Sequence, residues 1–75
     1  MTPARLENKL KKCVASMKEA HKEDDHERFF CELHDGNALI VAMLSTATPH
    51  ELGDVAKLAA GFIMETVEMM NEEVN

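Results

Sequence analysis

The side chains best suited to chemistry in this chain are two cysteines and four histidines. Cys31 and His34 form a C-x-x-H pattern, with His21 and His26 upstream, Cys13 farther back and His50 beyond. Thiolate and imidazole together can hold zinc, or act as nucleophile and general base. A tetrahedral zinc site needs four converging ligands, and no standard spacing of that kind is present. Cys13 and His21 lie eight residues apart, about 12 Å along a helix, beyond hydrogen-bond reach. Gly36, Gly53 and Gly61 form no phosphate-cradling loop. The carboxylates fall in charged runs, and a chain this small has little depth for a pocket. These residues predict no enzyme, no metal and no cofactor, so function has to be sought on the surfaces.

Composition narrows the classes further. Seventy-five residues make one domain spanning 1–75, near the size where a lone core only just offsets chain entropy. Hydrophobic content of 45% argues against disorder, but there are three Phe and no Trp or Tyr, against six Met. Methionine fills irregular gaps and adaptable contact surfaces, and so aliphatic a chain is expected to gain stability by self-association. The stretch Met1–Lys12 is charged throughout and does not read as a secretory leader. The longest apolar run, Ala38–Leu44, is too short to cross a bilayer. Two cysteines make no disulfide framework, and reduced thiols in a cytoplasmic protein are the expectation.

Three elements follow from the spacing of apolar residues. Thr2-Pro3 reads as an N-cap with proline at the first helical position. Leu6, Leu10, Cys13, Met17 and Ala20 then form one helical stripe that stops at the acidic run Glu23-Asp24-Asp25, ending the helix near Lys22. Across Asp35-Gly36, Leu33 pairs with Ala38, Cys31 with Ile40 and Phe29 with Ala42, all apolar and on one face. Asp-Gly suits a type I′ turn, so Arg28–Leu44 is predicted to be a β-hairpin. A short helix over Asn37–Ser45 competes, since Ala38, Ala42, Met43 and Leu44 favour helix. Thr48-Pro49-His50-Glu51 is a capping box opening a second long helix that runs to about Glu72. Its apolar positions, Leu52, Val55, Ala56, Ala59, Phe62, Ile63, Val67, Met70 and Val74, are widened by Leu58 and Met69 into an arc broader than one packing layer uses. Gly61 falls on its polar side and reads as a tolerated surface glycine.

The fold class expected is therefore α+β: a small α-β-β-α domain, a two-stranded antiparallel hairpin flanked by two long helices and completed by dimerisation. An all-α helical bundle is the alternative. The self-association surface is expected on Leu58, Phe62 and Met69 of the second long helix and on Phe30, Leu39, Val41 and Met43 of the hairpin.

The net charge of −6 is segregated. The first helix has six basic residues against two acidic, or +4; the remainder has two basic against twelve acidic, or −10. Lys9, Lys11, Lys12 and Lys18 could meet phosphates, but no aromatic residue stands among them and the summed field repels a polyanion. Glu65, Glu68, Glu72 and Glu73 crowd the end of the second long helix, where the macrodipole disfavours anions. Such a cluster could dock on a basic protein surface, as in small phage-type or mobile-element inhibitors. The expectation is a non-enzymatic, acidic protein-interaction module acting as a homodimer. An acidic inhibitor docking a basic surface and a nucleic-acid binder using the first helix are the alternatives.

Overall fold

The computed structural model describes the backbone of residues 1–74 and the side chains of residues 1–72. These residues form three helices: α1 (Pro3–Lys22), α2 (His26–Thr46) and α3 (Pro49–Val74). They run up, down and up in a bundle measuring 40 × 19 × 16 Å, so α1 and α3 are parallel and α2 opposes both.

The first helix forms as its sequence predicts. The Thr2 hydroxyl accepts the Arg5 amide at 3.3 Å, Pro3 occupies the first turn, and Leu6, Leu10, Cys13, Met17 and Ala20 are buried. Its end is a Schellman turn with aspartate in the left-handed position. Asp24 has φ 55°, the Asp25 amide donates to the Ala20 carbonyl at 2.8 Å, and the Asp24 amide donates to that of His21 at 3.3 Å. Asp25 then caps α2 by accepting the Arg28 amide at 3.1 Å. The acidic run that stops α1 therefore also starts α2.

The β-hairpin is corrected. No strand occurs among the described residues, and Arg28–Leu44 lies within α2. The all-α alternative replaces the α-β-β-α class. Gly36 has no positive φ and is buried in mid-helix, so Asp35-Gly36 is not a turn. The paired positions suggested period two because every residue from 38 to 44 is apolar, and such a run fits either period. Phe29, Leu33, Gly36, Ile40 and Met43 recur at spacings of four and three, and these are the residues α2 turns inward. A helix also satisfies its own backbone polar groups, whereas two isolated strands leave open edges.

α3 begins at its expected capping box, with one difference. The Glu51 carboxylate accepts both the Thr48 amide (2.9 Å) and the Thr48 hydroxyl (3.1 Å), so the hydroxyl donates instead of receiving the Glu51 amide. Val55, Phe62, Thr66 and Met69 are buried, and the Thr66 hydroxyl donates to the Phe62 carbonyl at 2.9 Å. The stripe is thus rotated from the predicted one. Met69 is core, while Ile63, Val67 and Met70 are exposed. Leu6, Met17, Met43 and Val55 are the most completely enclosed large side chains.

Polar contacts fix the helix pairs. Arg28 reaches from α2 to α1, donating through Nη2 to Ser16 Oγ (3.0 Å) and Glu19 Oε2 (3.1 Å). Lys18 pairs with Glu65 at 3.4 Å, and His21 lies 3.6 Å from Glu72 and against the Phe29 ring.

Candidate protein-interaction surfaces

The helix contacts decide which side of α2 and α3 is left uncovered. On α2, Arg28 and Glu32 lie towards α1, Arg28 bonding Ser16 and Glu32 adjoining Cys13. On α3, Glu65 and Glu72 lie towards α1. At 100° per residue, Phe30, Asn37, Val41 and Leu44 fall on the opposite flank of α2, and Leu52, Ile63, Val67 and Met70 on the opposite flank of α3. The two flanks adjoin along the seam where Phe62 packs on Gly36. The result is one external face on which most of the exposed large apolar side chains of the described residues collect. Val41 is 61% exposed, Ile63 54% and Phe30 53%. Met64, 57% exposed, stands at its outer edge. No Asp, Glu, Lys or Arg occurs in either of these stripes.

The residues expected to mediate self-association divide between the interior and this face. Met43, Phe62 and Met69 fill the core, Leu39 and Leu58 are half-buried against it, and Phe30 and Val41 are exposed. Sequence reasoning missed Leu44, Leu52, Ile63, Val67 and Met70 as surface. The signal was present for α3, since Ile63, Val67 and Met70 follow at four and three, but so does the true core set one position earlier.

The residues expected to recognise a partner are also divided. Lys9 and Lys12 are on the α2 side of α1, and Lys11 and Lys18 on its α3 side, so the lysines form no single stripe. Lys18 and Glu65 neutralise each other, and Glu72 faces His21. Glu68 is exposed, and Glu73 lies outside the residues whose side chains are described.

A second surface feature lies between the parallel helices α1 and α3. It is a trough made of two adjoining hollows of about 430 and 350 Å³ that share Glu7, Lys57 and Leu58. Leu10, Val14, Leu58 and Phe62 make its apolar floor. Ala15 and Gly61 leave the gap between its walls, with nothing within 4 Å of where a Cβ on Gly61 would stand. Lys11 and Lys57 line it without an ion pair among the described residues, and the Lys18–Glu65 bridge closes one end.

The chemistry-bearing side chains do not converge. Cys31 and His34, placed on opposite faces by the hairpin reading, are neighbours on one exposed side of α2, because a separation of three is nearly one helical turn. No group of three potential ligands among the described residues is placed to hold a metal. Cys13 is buried, and that burial, reinforced by the negative charges of Glu32 and Asp35, pushes its thiol above the usual value. No helix among the described residues is long and apolar enough to cross a membrane. Comparison with protein-family models, with curated proteins and with solved structures finds no match to the chain.

Proposed function

We propose that this chain is a non-enzymatic protein-interaction module that works as a homodimer, joined through the external α2–α3 face. The observation that carries this reading is the collection of Phe30, Val41, Leu44, Leu52, Ile63, Val67 and Met70 on one uncharged surface. Each of the seven is between 42% and 61% exposed, so a partner seated on this face would remove a large apolar area from water. Contiguous exposed apolar patches of this kind mark interaction surfaces. A second copy is favoured as the occupant because two chains of net charge −6 meet there without opposing like charges. Asn37, in the middle of the α2 stripe, supplies a polar group of the kind that fixes register in helical interfaces.

Native mass spectrometry and sedimentation of the untagged protein test this. The expected result is a dimer for the wild type and a monomer for Val67→Asp, with helix content unchanged because Val67 lies outside the core. A monomeric wild type at high micromolar concentration, or a Val67→Asp protein that still dimerises, would refute it.

A further inference from the structure

We infer that the two copies meet antiparallel, each α3 laid in reverse along the other's α3, with small residues of one copy seated against large residues of its partner. This rests on the homodimer proposed above and specifies how its halves fit together. Gly53, Ala56, Ala60, Ile63, Val67 and Met70 stand on the outer flank of α3, and all six are exposed. Their spacings are three, four, three, four and three, the repeat by which one helix presents a continuous seam to another. That series reads the same in both directions, so a reversed copy falls into register with it. In that register Gly53 faces the partner's Met70, Ala56 the partner's Val67, and Ala60 the partner's Ile63. Each pairing sets a small side chain against a large one, which fills an interface without voids. A parallel pairing instead sets every residue against its own copy. The large second half, Ile63, Val67 and Met70, would then hold the helices apart and leave a gap at Gly53, Ala56 and Ala60.

The charges of the bundle select the same direction. The Lys18–Glu65 and His21–Glu72 contacts bring the last turns of α1 and α3 to the end of the bundle where α2 begins. At that end, residues 18–28 and 65–72 hold three basic side chains against eight acidic, or −5. The opposite end, residues 1–12 and 45–58, holds five basic against three acidic, or +2. Parallel copies would set the two acidic ends side by side, where like charges oppose each other. Antiparallel copies keep them at opposite ends of a bundle 40 Å long, several Debye lengths apart at about 8 Å each in physiological salt. The six seam residues themselves are uncharged. Direction is thus set by size along the seam and by charge beyond it.

Spin labels report direction and interface together. In a Cys31→Ser background, where the remaining Cys13 is buried, nitroxides are attached through Met64→Cys near the centre of the seam and, in a second protein, through Asn71→Cys near its end. With about 1.5 Å per residue and axes about 8–10 Å apart, the antiparallel dimer should separate the labels at 71 by about 30 Å and those at 64 by less than about 20 Å. Short distances at both positions would leave the dimer standing and overturn the antiparallel arrangement. A long distance at 64 would place the dimer on another face, and no intermolecular distance at all would remove dimer and arrangement together. Exchanging sizes gives a second readout. Ala56→Leu, set against the partner's Val67, should weaken the dimer at least tenfold with helix content unchanged, since residue 56 is exposed. Adding Val67→Ala to the same chain should restore most of that loss, because the enlarged and reduced side chains then face each other. A double variant that dimerises no more tightly than the single one would overturn the pairing.

Discussion

The ring of Phe62 on α3 lies against the backbone of Gly36 on α2, so close that a Cβ on residue 36 would fall less than 3.0 Å from Cζ, Cε1 and Cε2. Gly36 is therefore retained for contact, even though its φ is one any residue adopts. Its missing side chain lets the two helix axes approach and places the ring over the middle of the bundle.

Gly36→Ala gains up to about 1 kcal/mol of helix propensity, but forces the ring aside at a cost of about 1–3 kcal/mol. With the full propensity gain, the expected net effect is a loss of up to about 2 kcal/mol, read as a lower urea midpoint. Gly53→Ala and Gly61→Ala, where a Cβ meets nothing within 4 Å, should instead gain about 0.5–1 kcal/mol. Pairing Gly36→Ala with Phe62→Leu should lose less than the two single losses together, since the clash goes with the ring. Equal effects of alanine at residues 36 and 61 would show that the contact is unimportant.

Asp24 carries the positive φ that ends α1. Glycine adopts that conformation without a steric penalty, so Asp24→Gly should raise stability by about 0.5–1 kcal/mol, or a few degrees in melting temperature. A lower melting temperature would mean that the aspartate side chain matters more there than its backbone.

The two thiols should differ in reactivity. Cys31 is exposed, whereas Cys13 is buried and its thiol is held protonated above the ordinary range. Titration with a disulfide reagent should show one fast thiol, with the second reacting only as the protein opens. Cys31→Ser should abolish the fast phase, and two fast thiols in the wild type would contradict the burial of Cys13. The raised value also has a sign in alkali. Its contribution is complete below the unfolded thiol's pKa and is lost as pH rises towards the folded one.

Glu51 behaves in the opposite sense. Hydrogen bonds from the Thr48 amide, then from the Thr48 hydroxyl, hold its carboxyl below the usual value. The stabilisation is therefore complete above the unfolded carboxylate's pKa and fades as pH falls through the folded one. Glu51→Ala should melt below the wild type at neutral pH, and the gap should narrow as the pH drops below about 4. A gap independent of pH would place the effect in helix propensity instead of the charged cap.

The outer two helices were legible because their ends are marked by chemistry that only a helix start uses: Thr2-Pro3 for one, Thr48 with Glu51 for the other. α2 was obscured by two coincidences. Asp35-Gly36 is a strong turn signal in isolation, and the glycine is there for Phe62, a long-range reason invisible to local sequence. The run from 38 to 44 is apolar on every side, because α2 feeds both the core and the exposed face. The capping role of Asp25 was the available counter-signal. Read as a helix start as well as a helix stop, it argues for α2. The trough could not be read at all, since it depends on how α1 and α3 are set against each other.

The helices are joined by only three residues, Glu23–Asp25, and then two, Ala47–Thr48. With such brief connections, each helix meets its neighbour at little loop-closure cost, and contacts close in sequence predominate. Assembly should accordingly finish within microseconds to milliseconds. Reclosing would then outrun cleavage at ordinary protease levels, so susceptibility to proteolysis should follow the equilibrium share of opened molecules, not the rate of opening.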